Sequence, residues 1–134
     1  MKTSERTGGF LPWVLLMAAA ALPYLPVWTT GFAFDDGGLI RENPAVWSAS
    51  PGDAWTSPYW PQHPQSGLYR PWVTFSYWLN ARLTGRGAAG FHLANVLLHA
   101  AVTLVLWRLL RRLFPRRGGL ALLTALIFAV HPIH

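Results

Sequence analysis

The sequence predicts an all-α membrane protein, with about three transmembrane helices and a long outer loop that carries an interfacial amphipathic helix. Three observations predict it. Of the 134 residues 52% are apolar and only 12% charged, about half the charged share of an average soluble domain. Aromatic residues reach 14%, with eight Trp, more bulky surface than so short a chain can bury. Long apolar stretches also alternate with segments of sharply different charge. Disorder is excluded by the same apolar content. The absence of cysteine excludes a disulfide framework and a thiolate metal site.

The first element follows a short cytoplasmic N-terminus, residues 1–9, in which Lys2, Glu5 and Arg6 leave one net positive charge. Residues 10–28 carry no charged side chain. As a helix they would measure roughly 28 Å, close to the hydrocarbon thickness of a bilayer. Pro23 and Pro26 mark where that helix kinks or stops. A cleaved leader would end at the Ala19-Ala20-Ala21 box, but the apolar run continues to Trp28, which favours a retained span. The second span covers residues 91–110, with Arg108 snorkelling at its end. The third covers residues 118–134 and is cut short by the end of the chain, which reads as the N-terminal piece of a longer protein.

Charge placement orients these spans. Arg108, Arg111, Arg112, Arg116 and Arg117 cluster, without an acid, at the end of the second span and in the turn at residues 111–117. In residues 29–90 four arginines balance four acids. The positive-inside rule puts the N-terminus and the arginine-rich turn in the cytoplasm and the long loop outside. The overall charge of +6 is therefore a matter of topology and anionic lipid, and no nucleic-acid partner is expected.

The outer loop is too long for a bare connector. Its first part sets Asp35 and Asp36 before Gly37-Gly38, and Asn43-Pro44 marks a turn. From Ala45 to Leu68 the chain is rich in Trp, Pro, Ser and Gly, without a helical or strand period, and suits a cap at headgroup level. Pro71 opens a helix over residues 71–83, Pro being favoured at a first helical position. Trp72, Phe75, Ser76, Leu79 and Leu83 share one side of it, and Thr74, Asn80 and Arg82 point elsewhere. Thirteen residues are too few to span but suit a helix lying along the interface.

Several residues can carry chemistry. Asp35 and Asp36, if the glycine turn lets them converge, offer a general base; they equally permit a divalent cation, magnesium or manganese, or a plain solvated turn. Arg41 and Arg70 can meet a phosphate through bidentate guanidinium contacts. His92, near the outer end of the second span, and His131 and His134, at the outer end of the third, lie on the same side of the membrane as the acids. His92, Asn95, His99 and Thr103 recur every three or four residues as one polar stripe; for Asn95, His99 and Thr103 the plain reading is hydrogen bonding between helices. No close pair of histidines with a third ligand marks a zinc site.

Taken in order, Phe34-Asp35-Asp36, Leu39-Ile40, Asn43-Pro44, Tyr69-Arg70-Pro71, the run from Gly90 to His99, and His131-Pro132-Ile133-His134 resemble the first part of the type-C integral-membrane glycosyltransferases. The likeness is greatest to the transmembrane, tetratricopeptide-containing O-mannosyltransferase branch and its bacterial relatives. The resemblance implies a type-C fold and Asp35 or Asp36 as general base toward an acceptor hydroxyl on a protein or glycan. It implies a mannose-like sugar carried on a polyprenyl or dolichyl phosphate, and inversion at the anomeric carbon. Arg70, Arg41, His92, His131 and His134 would then meet the donor phosphate or the acceptor, with no metal ligand among them. Relatives usually continue the last motif with a Thr-Glu pair that is absent here, and the activity is expected of the complete protein. The alternatives are a membrane binding or assembly protein without catalysis, and a piece of a transporter. The excess of Arg over Lys, with abundant Ala and Gly, suggests a bacterial inner membrane; an endoplasmic-reticulum membrane is the alternative.

Overall fold

A computed structural model describes residues 9–131. The described residues are helical and contain no strand. In chain order the helices are α1 (Phe10–Ala21), α2 (Pro44–Trp47), α3 (Asp53–Thr56), α4 (Pro71–Thr84), α5 (Ala88–Leu113) and α6 (Gly118–Val130). A 3-10 segment, Leu22–Thr29, continues α1, and a π-helical turn, Gly37–Arg41, precedes α2. Two stretches are long and apolar enough to cross a bilayer, Phe10–Thr29 and Ala88–Leu113. Helix α6, with 13 residues, spans about 20 Å at the helical rise. The contacts divide the chain into two compact units, a helical one made of the residues up to Pro26 and from Asn95 onward, and a loop unit, Val27–Ala94.

The helical unit is packed through small residues. Ala121, Ala125 and Ala129 repeat every fourth position along α6 and are all buried, so they form one narrow face. Without large side chains between them the helix backbones approach closely, which is how helices associate in lipid. Ala20 of α1 and Ala100 of α5 close around Ala129, and Leu16 and Trp107 pack on Ala121 and Ala125. The outward positions Leu120, Leu123, Ile127 and Val130 are exposed, as lipid-facing residues would be. Pro23 and Pro26 account for the change from α-helix to the tighter 3-10 form after Ala21.

The loop unit is held by a core of Leu39, Ile40, Val46, Tyr59, Ala81 and Phe91. Phe91 is its hub, with the rings of Phe32, Trp47 and Tyr77 at 5.5, 6.4 and 6.3 Å. Asn43 is buried, and its amide ties two elements together: Oδ1 accepts from Ala45 N–H at 3.0 Å, capping α2, and Nδ2 donates to the Leu39 carbonyl at 3.1 Å. Trp47 Nε1 donates to the Ile40 and Arg41 carbonyls at 2.8 and 3.1 Å, and Trp78 Nε1 to Ser48 O at 2.9 Å. The stretch from Ala45 to Leu68, which shows no period, thus contains α2, α3 and a short 3-10 turn at Pro64–Ser66. Single turns are too brief to produce a repeat.

Helix α4 has two different faces. Its inward face carries Thr74 and Ala81, both buried, while Trp72, Leu79 and Leu83 are exposed. The apolar side is turned away from the loop core, as suits a helix whose second solvent is lipid. Gly85 ends α4 at φ 79°, ψ −155°, a conformation that requires glycine. At Gly90 a Cβ would stand 2.1 Å from Thr84 Oγ1 and 2.3 Å from Thr84 Cβ.

Asn43→Ala leaves a buried donor and acceptor without partners and is expected to cost about 2 kcal/mol, read as faster chymotrypsin cleavage within residues 44–70 in detergent micelles. Gly90→Ala is expected to destabilise the loop unit by about 1–3 kcal/mol in the same assay. Thr84→Ala will not rescue it, because the Cβ that clashes is retained.

Candidate functional site

The acids sit on a turn that the backbone builds from both sides. Asp36 N–H donates to the Ala33 carbonyl at 3.0 Å, and Asp36 Oδ2 accepts from Ala33 N–H at 3.2 Å. Between them Phe34 takes φ 47°, an uncommon left-handed conformation for a residue with a side chain, and its ring is wholly exposed. The π-helical turn then begins, closed by Glu42 N–H on Gly37 O at 2.9 Å. The two carboxylates consequently part company: Asp35 is exposed and Asp36 half-buried.

Asp36 belongs with groups that have no signature in the sequence. Tyr59 and Tyr77 both lie in or against the loop core. The Arg70 guanidinium rests over the Tyr59 ring, 4.8 Å from its centroid, a cation–π contact that fixes a long side chain. Burial, with the Tyr59 hydroxyl and the Asp36 carboxylate beside it, pushes the Tyr77 hydroxyl from an ordinary 10.0 up to about 12, and the Arg70 charge opposes the rise. The fields of Asp36 and Arg70 therefore meet at one phenol. A group so shifted keeps its proton and can donate a hydrogen bond but cannot act as a base. Tyr59 and Tyr77 are the residues that sequence reasoning missed. The available signal was the position of Tyr77 three residues after Thr74 and four before Ala81, on the inward face of α4.

The remaining candidates are placed as follows. Arg41 is exposed at the end of the π-helical turn, where its carbonyl accepts from Trp47. His92 Nε2 lies 3.4 Å from Gly31 O within the loop unit. In the helical unit His99 Nε2 is 2.9 Å from Ala129 O; the partner is a carbonyl, so this nitrogen carries the proton. That bond joins α5 to the last turn of α6, and Tyr24 and Phe128 pack on the His99 ring. Thr103 is buried and donates to His99 O of its own helix at 2.9 Å, whereas Asn95 is exposed. His131 follows α6 and donates its backbone N–H to Phe128 O; His134 lies outside the described residues. Among the described residues no three His, Asp or Glu side chains are grouped to hold a metal ion. Asp36 Oδ2 is engaged by Ala33 N–H, and Asp35 is exposed.

Comparison with known proteins gives a consistent result. The chain is 31% identical to Protein O-mannosyl-transferase F38B6.6 of Caenorhabditis elegans over 141 aligned positions, covering 99% of this chain and 20% of that protein. It is 36% identical to Protein O-mannosyl-transferase TMTC1 of Homo sapiens, covering 90% of this chain and 14% of the relative. It is 35% identical to Protein O-mannosyl-transferase Tmtc1 of Drosophila melanogaster, covering 87% and 14%. The chain thus spans a fifth or less of the length of these relatives. No protein-family model and no solved structure matches it. Together with the two membrane-length helices, the similarity makes this an integral membrane protein.

Because the folded-state value of Tyr77 lies above the ordinary one, its contribution to stability is complete below pH 10 and is lost as the pH rises toward about 12. A tyrosinate absorbance titration of the chain in micelles is expected to show a late step near pH 12. Tyr77→Phe removes that step; persistence of the step in the variant would assign it elsewhere.

Proposed function

Since the chain belongs to the protein O-mannosyl-transferase family over the segment it shares with these relatives, we propose that it supplies the acidic outer rim of a type-C glycosyltransferase. That enzyme moves a mannose-like sugar from a polyprenyl or dolichyl phosphate to a hydroxyl of a protein or glycan. The observation that carries the reading is the gathering of Asp36, Arg70 and two phenols in one unit. Asp36 is the base: one oxygen is held by Ala33 N–H, and the other takes the acceptor's proton. As the acceptor oxygen bonds to the anomeric carbon, the bond from that carbon to the phosphate oxygen breaks and the configuration inverts. Charge grows on the departing lipid phosphate, and Arg70, held by its contact with Tyr59, stabilises it more in the transition state than in the ground state. Tyr77 supplies a neutral donor beside the base. His92, His131, His134 and Arg41 remain candidates for binding donor or acceptor. Later spans and tetratricopeptide repeats would complete the site in the whole protein, and its third span would begin with α6.

The outer loop faces away from the cytoplasm in this reading, which the charge distribution supports. The relatives are animal proteins, which favours an endoplasmic-reticulum membrane over the bacterial inner membrane suggested by composition.

A second reading, a membrane binding or assembly segment without catalysis of its own, has one observation in its favour: Asp35 is exposed and Asp36 closes its own turn, as a purely structural acid would. Transfer of labelled sugar from the lipid phosphate by the complete protein separates the two. Asp36→Asn is expected to lower the rate by about 10²–10⁴-fold, with a smaller loss in Asp35→Asn. Full activity in both variants would overturn the base role and leave the binding reading.

A further inference from the structure

Within the loop unit, residues 59–68 form a closed loop that reaches the acidic turn. Tyr59 N–H donates to the Leu68 carbonyl at 2.9 Å and brings the ends together. Inside the loop His63 N–H donates to Trp60 O at 3.1 Å and Ser66 N–H to His63 O at 3.0 Å. Gly67 takes a φ of 66°, the left-handed region that favours glycine. A short loop bonded mainly to itself moves as one piece rather than as a free strand.

This piece touches both halves of the site. At its start the Tyr59 ring, part of the loop core, carries the Arg70 guanidinium at 4.8 Å. Further on, Gln62 reaches back 24 positions, its Nε2 donating to Gly38 O at 3.2 Å. Gly38 admits that approach because it lacks a side chain: a Cβ there would stand 3.2 Å from Gln62 Oε1 and 3.3 Å from Trp60 Cζ3. At Gly37 a Cβ would meet nothing within 4 Å, so the closeness belongs to the second glycine of the pair. An exposed amide hydrogen bond adds little to stability, and Asn43 already secures the turn through Leu39 O. What Gln62 adds is register, because it ties the backbone that presents Asp36 to the loop that seats Arg70. A base and a cation acting on one substrate need their separation held.

Resting on the reading of Asp36 as base, we propose that Gln62 is a positioning residue: through Gly38 it holds the acidic turn in register with Arg70. Hydrogen exchange read by mass spectrometry on the 134-residue chain in micelles tests the contact. Gln62→Ala is expected to speed exchange across residues 35–42 about fivefold and to leave residues 44–56 unchanged. In the complete protein the same variant lowers kcat about tenfold and moves KM for the lipid-linked donor by less than about twofold. Gln62→Glu keeps the length but loses the donating NH2, and matches Gln62→Ala. Gln62→His places a ring N–H near the lost amide and restores most of kcat, which a mere loss of loop packing would not allow. Gln65→Ala, at an exposed position of the same loop, moves neither reading. Unchanged exchange in Gln62→Ala, equal effects in Gln62→Ala and Gln65→Ala, full kcat in Gln62→Ala, or no recovery in Gln62→His would each overturn the proposal while leaving Asp36 as base. Full activity in Asp36→Asn would remove the base reading, and the positioning role with it, whatever the exchange shows.

Discussion

The loop unit depends on the satisfied amide of Asn43. A buried side-chain amide is costly unless its polar atoms are paired, and this one pairs across two elements, the π-helical turn at Leu39 and the first turn of α2. Asp35 and Asp36 lie just upstream on the same chain segment, so the turn that presents them is fixed from below. Trp47 reinforces the arrangement by donating to two carbonyls of the π-helical turn. An acidic pair on a glycine turn would otherwise sample many orientations; here the local hydrogen bonds select one in which the two carboxylates have different surroundings.

That difference gives the site its chemical asymmetry. Asp35 keeps ordinary contact with solvent, and Asp36 shares its environment with phenols and a guanidinium. Tyr77 is held neutral mainly by burial, so it can orient or polarise but not abstract. In the function proposed above, this would divide the work between a carboxylate that takes a proton, a cation that receives the leaving charge and a phenol that donates.

Much of the architecture was legible in the sequence because hydropathy and charge act over long windows. Residues 10–28 and 91–110 announce themselves by length alone, and Arg111 to Arg117 by their sign. Asn43-Pro44 and Pro71 were readable as a turn and a helix start from local chemistry. The apolar side of α4 was readable from its spacing, but its inward face was not, because Thr74 and Ala81 are small and carry no apolar period that marks burial. Tyr59 and Tyr77 are 18 positions apart, and only the fold joins them. The polar stripe also proved to be three different things: His99 bonds across to α6, Thr103 bonds along its own helix and Asn95 is exposed.

At the membrane boundary proposed for the loop, the outward face of α4 would act as a float. Indole and leucine surface has a preferred depth at a bilayer boundary, and displacement in either direction costs free energy. The draught of the loop unit would then be set by Trp72, Leu79 and Leu83, and Asp36, being part of the same compact unit, would ride at a height fixed by them. Were the substrate lipid-borne, as proposed above, its reactive carbon would also stand at a fixed distance from the hydrocarbon, and register between carboxylate and sugar along the membrane normal would follow from wetting rather than from linker length.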